Sequence, residues 1–329
     1  MNKFWNITRR LAALHVAVIL LLVAFWLPQA RKTGRLRVSP GVWPGAEAIV
    51  LAHAEGKLPA AEFQLVELPW SSAAMRALGS GAADAAVVTL DAVLRMREGG
   101  QDLRVLMVLD ESAGADMVLA RQDVTDIKAL NGCRVGVDVS GVGAYLLMNA
   151  LEGAGMTMSD VRLVPLTQPE MEQAVADGAV DAVLVSEPWS SRLKRAGWHA
   201  VYDSKQLSIP IMRVLAATGE ACEQSRPGLV ALLRAQMELT PRVRGGTSFD
   251  SMDLVLRREK ISRAMFNAAL ESWRPLDAAE NRTLLLGKPP RLARIADEIT
   301  GQMLRGGLLR SKPAELPWID ADIIQEAAP

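Results

Sequence analysis

The chain of 329 residues is long enough for two ordinary domains, and half of its residues are hydrophobic while 22% are charged. Basic and acidic residues both number 37, so the formal net charge is zero and no basic excess is available to hold a nucleic-acid backbone. These values predict a globular protein with a substantial core and exclude nucleic acid as a partner. With two cysteines, three histidines and no closely spaced ligand set, we expect no disulfide framework, no metal site and no cofactor.

The N-terminus is predicted to be a targeting segment, residues 1–34. Met1–Arg10 carries three basic residues and no acid, and Leu11–Leu27 is a nearly unbroken apolar run with further basic residues after it. A basic flank and an apolar run of this length are typical of a secretory signal or a short membrane anchor. The sequence leaves both alternatives open: a cleaved signal peptide, or an anchor in which residues 11–27 tether the protein to the inner membrane. In either case we expect a periplasmic protein.

From Arg35 onward, short apolar runs alternate with amphipathic segments, the pattern of βα units around a largely parallel sheet. The predicted strands are Leu36–Ser39, Phe63–Leu68, Ala85–Val88, Leu103–Leu109, Met117–Ala120, Arg134–Val137, Val161–Pro165, Ala182–Val185 and His199–Tyr202. The predicted helices between them are Ala46–Glu55, Ala73–Leu78, Asp91–Arg97, Ala144–Leu151, Pro169–Ala176 and Pro188–Arg195. Ser71 and Ser72 are predicted to cap the second of these helices.

Two segments about 97 residues apart have nearly the same sequence. Gly81-Ala-Ala-Asp-Ala-Ala-Val-Val-Thr89 matches Gly178-Ala-Val-Asp-Ala-Val-Leu-Val-Ser186, with Asp84 on Asp181, and Arg37 matches Arg134 at the same offset. Repeats of this kind indicate a duplicated structural unit. We therefore predict two similar α/β lobes: residues 116–214 form the second, and residues 35–115 together with 215–329 form the first.

After Met212–Thr218 the pattern changes to helices only. The predicted helices are Pro227–Glu238, Ser251–Arg257, Ser262–Trp273, Ala278–Leu286 and Arg291–Leu304. We expect them to pack on the first lobe, so that the chain crosses between the lobes near residues 115–120 and 210–218. The tail from Ser311 to Pro329 is predicted to end without regular structure.

Ligands of open parallel sheets bind beyond the carboxyl ends of the strands, where helix N-termini point at them. Five predicted loops lie there: Gly41–Gly45, Pro69–Ser72, Thr89–Asp91, Asp138–Gly143 and Ser186–Trp189. Three of the eight tryptophans fall in these short loops. The candidate ligand-binding residues are Trp43, Trp70, Ser71, Thr89, Asp91, Ser140, Gly141, Glu187 and Trp189. The alternatives are packing for the tryptophans, N-capping for the hydroxyls and complementing of helix dipoles for the carboxylates.

The five loops contain no lysine or arginine, and the nearest cation is Arg192, one turn into its helix. Asp91 and Glu187 occupy corresponding loops of the two lobes. Aromatic rings with carboxylates are the usual means of holding a cationic nitrogen. The sequence therefore favours a neutral, zwitterionic or cationic ligand over a bare inorganic anion.

Several stretches resemble solute-binding proteins of the nitrate/sulfonate/taurine type, a group that also holds thiamine-precursor-binding proteins of ABC importers. They are Gly41–Gly45 with Ala52–Gly56, Ala77–Thr89, Leu130–Val137, Asp181–Trp189 and Glu280–Gly287, in the family's order across residues 35–310. The resemblance implies a type II periplasmic-binding-protein fold: two Rossmann-like lobes with a hinge, closing on a ligand. It also implies a monomer without catalytic residues that works with a membrane permease and an ATPase.

The leading function is thus a periplasmic binding component that delivers a small nitrogen-containing organic molecule to an ABC-type permease. A membrane-tethered ligand sensor with the same cleft, or a binding protein for an oxyanion such as nitrate, a sulfonate or taurine, are the alternatives. An enzyme is disfavoured. Relatives of this fold that make a pyrimidine use a histidine and a cysteine-rich metal motif, whereas His53 and His199 lie outside the predicted loops and the cysteines are isolated. No serine lies in a nucleophile elbow either.

Overall fold

The computed structural model describes residues 34–68, 70–245, 252–314 and 317–328. The predicted apolar run at residues 11–27 lies outside these ranges, as do Pro69 and Ser251, the first residues of a predicted loop and a predicted helix. Within the described ranges, no helix combines the length and the apolar composition that a membrane span requires.

The described residues form eleven strands. They are β1 (Leu36–Ser39), β2 (Phe63–Leu65), β3 (Ala85–Thr89), β4 (Leu103–Ser112), β5 (Met117–Ala120), β6 (Arg134–Val137), β7 (Arg162–Pro165), β8 (Ala182–Val185), β9 (His199–Asp203), β10 (Met212–Thr218) and β11 (Trp273–Pro275). All nine strands that were predicted between Arg35 and Tyr202 are present. The second strand is shorter than predicted, because it ends at Leu65 rather than Leu68.

Thirteen α-helices lie in the same ranges. They are α1 (Glu47–Ala54), α2 (Ser71–Gly79), α3 (Leu90–Glu98), α4 (Val142–Gly153), α5 (Gln168–Ala176), α6 (Trp189–Arg195), α7 (Gly219–Gln224), α8 (Arg226–Arg244), α9 (Met252–Glu259), α10 (Arg263–Glu271), α11 (Ala278–Leu285), α12 (Arg291–Arg305) and α13 (Ala321–Ala327). Helix α8 passes through Pro241 and so ends six residues later than predicted.

The strands form two separate sheets with the same internal plan. The first sheet has the order β11-β4-β10-β3-β1-β2 and the second the order β7-β6-β8-β5-β9. In each sheet three neighbouring strands are parallel, and the next strand is antiparallel to them. The antiparallel strand is β10 in the first sheet and β5 in the second. Each of them is the first strand that the chain forms after it crosses over from the other sheet. The chain leaves the first sheet after Ser112 and returns to it at Met212.

The sequence repeat has an equivalent in the backbone pairing. Val38 pairs with Ala85 in the first sheet, and Val135 pairs with Ala182 in the second. Asp84 accepts hydrogen bonds from the backbone N–H of Arg37 at 2.8 Å and from its Nε at 3.0 Å. Asp181 accepts the same two bonds from Arg134, at the same two distances. Each aspartate thus ties the turn before one parallel strand to the start of its neighbour, which gives the repeated aspartate a structural role.

The Asp181→Asn variant should be less stable at neutral pH by about 2 kcal/mol, a value reduced for solvent screening because Arg134 is 41% exposed. Hydrogen bonds from Arg134 lower the pKa of Asp181 to about 2. The stability that this carboxylate contributes is therefore present above its unfolded-state pKa of about 3.9 and is lost as the pH falls through about 2. Urea unfolding across the acid range measures it. The exposed Asp177→Asn is the control, and equal stability of both variants would contradict the prediction.

The C-terminal helices pack on the first sheet, as predicted. Helix α8 packs on α1, α12 packs on α3, and α13 contacts α8 and β4. The N–H of Val105 in β4 donates to the carbonyl of Trp318 at 2.7 Å, so the segment before α13 extends this sheet's edge.

Two expectations for the C-terminal part were wrong. The segment after Thr218 is not purely helical, because Trp273–Pro275 pairs with the outer edge of β4. A short strand that contains proline suits an edge, where one side needs no ladder hydrogen bonds. The tail is also not irregular throughout, because α13 buries Ile323 and Ile324 completely.

Candidate functional site

The carboxyl ends of the parallel strands in the two sheets border one cavity. Six of the nine predicted site residues line it: Trp43, Trp70, Ser71, Thr89, Glu187 and Trp189. The cavity encloses about 70 Å³ of free space. One water molecule needs about 10–15 Å³ of such space, so the cavity has room for about five to seven water-sized groups. We call this space the cleft cavity; it has the size for a small solute.

Three tryptophans lie in the apolar part of the wall, together with small aliphatic side chains. Trp43 and Trp189 are 4% and 6% exposed, and Trp70 precedes α2 as its N-cap residue. Indole rings bury a large apolar area and carry one N–H donor each. The donor of Trp43 is already used, because its Nε1 donates to Asp110 Oδ2 at 2.8 Å.

At the start of α2, two residues of the cavity wall have unused hydrogen-bonding groups. Trp70 Nε1 and Ser71 Oγ are buried and have no partner among the described residues. The predicted capping by Ser71 and Ser72 is wrong, because the helix begins at Ser71 itself and no side chain caps it. The N–H groups that precede the first bond of the helix, from Ala73 to the Trp70 carbonyl, have no intrahelical partners and carry a partial positive charge. This end of the cleft cavity is therefore rich in donors.

The wall also contains one anion and one cation. Glu187 is 5% exposed and accepts a hydrogen bond from Ser191 Oγ at 3.0 Å. The cation is Arg213, which no sequence argument had placed there. The premise that the site lacks an arginine or lysine is therefore wrong.

Strand direction explains why Arg213 was missed. The predicted site took only residues that follow parallel strands. Strand β10 runs antiparallel to β3, and Arg213 near its start pairs with Thr89 at the end of β3. It therefore reaches the same edge of the sheet from the opposite direction. A lone arginine in the buried apolar strand Met212–Thr218 was the available signal.

Arg213 is held beneath Trp43 by buried acids. Its Cζ lies 3.4 Å from the ring centroid of Trp43, a cation–π contact. Its Nη2 donates to both oxygens of Asp116, at 2.9 and 3.0 Å. Asp116 also accepts a short hydrogen bond from Ser186 Oγ. Since Arg213 belongs to the first sheet and Ser186 to the end of a strand in the second, this network joins both walls of the cleft.

Three predicted residues do not line the cleft cavity. Gly141 borders a smaller adjoining pocket of about 20 Å³, which shares Trp70 and Ser71 with it. Ser140 is exposed, and its hydroxyl donates to Asp138 at 2.7 Å. Asp91 is 3% exposed and turned toward Arg95 of its own helix, with 3.8 Å between Oδ2 and Nη2; burial raises its pKa. The Ser140 hydroxyl is thus bound to a local partner, whereas Asp91 Oδ2 faces Arg95 without a hydrogen bond.

Two arginines connect the walls of the cleft outside the cavity. Arg95 on α3 donates to the carbonyls of Val139 and Gly141 at 2.6 and 3.1 Å. Arg192 on α6 donates to the carbonyl of Glu259 at 2.8 Å. Each arginine and its acceptors lie on opposite sides of the cleft, so these bonds hold the two sides together.

Groups of three or more histidine, cysteine or acidic side chains with the geometry for a metal ion do not occur among the described residues. The cleft cavity offers indole faces, donors and a single charge of each sign. Such a set can bind a small polar or ionic solute by hydrogen bonds and charge.

Comparison with known proteins gives a consistent picture. The family model described as "NMT1/THI5 like" matches residues 62–236, more than half of the chain. A curated protein of Escherichia coli (strain K12), named for binding aliphatic sulfonates, is 24% identical over 207 residues, which are 61% of this chain and 64% of that protein. The chain thus spans slightly less than two thirds of this relative.

Solved structures share the fold at low identity. The alkanesulfonate-binding protein of Xanthomonas axonopodis pv. citri, bound to MOPS, has a TM-score of 0.70 at 19% identity and covers 87% of this chain and 97% of its own. A desulfurization enzyme has a TM-score of 0.59 at 17% identity and covers 89% of this chain and 98% of its own. The predicted type II periplasmic-binding-protein fold is confirmed, and it is a fold that carries both binding proteins and an enzyme.

Proposed function

The chain belongs to the NMT1/THI5-like family, and from this premise we propose that it is the solute-binding component of an ABC-type importer. The ligand in this proposal is a small organic sulfonate, bound in the cleft cavity in the periplasm and handed to a permease with its ATPase. The E. coli and Xanthomonas proteins that share its sequence or fold are named for binding sulfonates. This favours the oxyanion alternative over a ligand that is only cationic or neutral.

The observation that carries the proposal is that residues with unused donors and a buried cation line the same cavity. Trp70 Nε1, Ser71 Oγ and Arg213 Nη1 are buried and have no hydrogen-bond partner among the described residues. A buried polar atom without a partner costs about 1–3 kcal/mol. A sulfonate has three acceptor oxygens and a full negative charge, and it can accept from all three of these groups.

Glu187 supplies the finer part of the proposal, a nitrogen in the ligand. Its carboxylate is in the wall of the same cavity, together with the indoles of Trp43, Trp70 and Trp189. Carboxylates and aromatic faces favour a cationic nitrogen. A zwitterion, with a sulfonate at one end and an amine at the other, satisfies both charges of the wall.

Titration of tryptophan fluorescence with three matched compounds tests the proposal. We expect 2-aminoethanesulfonate to bind most tightly, ethanesulfonate about tenfold more weakly, and ethylamine not at all. Tight binding of ethylamine alone, or of no sulfonate, would overturn it. Recovery of the bound sulfonate unchanged after long incubation separates a binding protein from an enzyme such as the desulfurization relative.

We expect Arg95→Met to weaken sulfonate binding by about 10- to 100-fold, because its hydrogen bonds across the cleft stabilise the closed arrangement by about 1.5–3 kcal/mol. Dissociation rates from stopped-flow fluorescence measure the effect. Arg234→Met is the matched control, because Arg234 also donates to two backbone carbonyls, those of Glu326 and Ala327, but does not face the cleft. Equal dissociation rates in both variants would contradict the prediction.

A further inference from the structure

Arg213 is flanked by more negative charge than one guanidinium can neutralise. Asp110 at the end of β4 is completely buried, and Asp116 in the connection to β5 is 1% exposed. Asp116 forms the two-oxygen contact with Nη2 of Arg213. Asp110 lies on the other side, with 3.8 Å between its Oδ1 and Nη1 of Arg213. If both acids are ionised, this three-residue cluster carries one net negative charge under the cleft cavity.

Asp110 and Arg213 face each other without forming a hydrogen bond. Asp110 Oδ1 and Arg213 Nη1 are both buried, and neither has a hydrogen-bond partner among the described residues. The other oxygen of Asp110 is fixed by Trp43 Nε1. A Cβ at Gly45 would come within 2.3 Å of that oxygen, so the space around it is filled. Nη1 is therefore a buried donor of a residue that lines the cleft cavity, close to an acid that does not form a hydrogen bond with it.

Arg213 and Asp116 are the charges that face Asp110. Glu111, the next residue of β4, points to the other side of the strand, where it pairs with Arg274 at 3.1 Å. The elements on the remaining sides present the indoles of Trp43 and Trp273 near Gly45 and the uncharged Gln236, which donates to the Gly45 carbonyl. Buried Asp91 lies within electrostatic reach of Asp116, and not of Asp110. The charge on Asp110 itself therefore depends on Arg213 and Asp116.

We propose that Asp110 is a positioning residue that sets the affinity of the cleft cavity for anions by competing with the ligand for Arg213. When Asp110 is neutral, the cluster has no net charge and Nη1 is available to a sulfonate oxygen. When Asp110 is ionised, it attracts the guanidinium and repels the ligand. The inference rests on the proposed function, because it takes the ligand of this cavity to be an anion.

The proposal makes binding depend on pH. Burial raises the pKa of Asp110 to about 6, against the opposing effect of Arg213. Anion affinity should then fall as the pH rises through about 6. The same shift means that the stability contributed by protonated Asp110 is fully present below about pH 4 and is lost as the pH rises through about 6.

The test compares Asp110→Asn with the unaltered chain, using ethanesulfonate, which stays an anion throughout the range. The unaltered protein should bind it about tenfold more weakly at about pH 8 than at about pH 5. Asp110→Asn should bind it with the same affinity at every pH, close to the tight value of the unaltered protein. Glu111→Gln is the matched control from the same strand and should retain the pH dependence.

Two outcomes separate the inference from the proposed function. If ethanesulfonate binds but Asp110→Asn keeps the pH dependence, the inference is wrong and the proposed function stands. If no sulfonate binds, the proposed function fails, and the inference is judged on the ligand-free protein. There the indole N–H resonance of Trp43, assigned with Trp43→Phe, should shift with pH around 6 in the unaltered chain but not in Asp110→Asn. A resonance that does not titrate overturns the inference.

Discussion

Replacing Arg213 with methionine is expected to abolish sulfonate binding and to lower the free energy of unfolding by about 3–5 kcal/mol. The loss of stability follows from burial, because Asp116 and Asp110 would remain in the interior without their cation. The loss of binding follows from the removal of the cation from the wall of the cleft cavity. Urea unfolding and fluorescence titration measure the two effects separately.

A double variant distinguishes a ligand contact from a purely structural residue. Asp116→Asn combined with Arg213→Met removes the buried pair together, so about half of the lost stability should return. Binding should not return, because the donor to the ligand is still missing. If the double variant binds ethanesulfonate like the unaltered protein, Arg213 acts only through stability and its role in the ligand site is refuted.

The repeat made much of the fold predictable. Strands that lie next to each other in a parallel sheet have a local apolar signature, and the Arg37–Asp84 and Arg134–Asp181 ties occur at one offset in both sheets. Local sequence patterns did not predict the elements at the C-terminal end of the chain and at the edge of the first sheet. Strand β11 has three residues and helix α13 seven, too few for a clear periodicity, and tertiary packing on β4 and α8 specifies them.

The site was predictable only where a residue follows a parallel strand. Trp43, Trp70, Thr89 and Glu187 satisfy that rule and line the cleft cavity. Asp91 satisfies it too, but its carboxylate faces Arg95, one helical turn away, and does not line the cavity. Arg213 was missed because β10 runs antiparallel to β3, so that its start reaches this edge of the sheet. Asp110 was missed because it lies inside β4, a strand that runs in the same direction as β3, and not in a loop after a strand. Their pairing across β10 and β4 is a contact between residues 103 positions apart, which local sequence does not reveal.

Replacing Ser71 with alanine is expected to weaken sulfonate binding by about 10- to 100-fold, because hydrogen bonds to charged groups contribute about 1.5–3 kcal/mol. Stability should be unchanged or slightly higher, because the hydroxyl is buried without a partner in the ligand-free protein.

The neighbouring Ser72 provides a matched control: it is 2% exposed, its hydroxyl is equally unpartnered, and it lines neither cavity of the cleft. Ser72→Ala should therefore match Ser71→Ala in thermal unfolding and match the unaltered protein in fluorescence titration. The donors of a binding site have no partner until the ligand binds. Replacing a residue of the site can therefore lower the protein's affinity for its ligand without lowering its stability. Equal binding by both variants would remove Ser71 from the site.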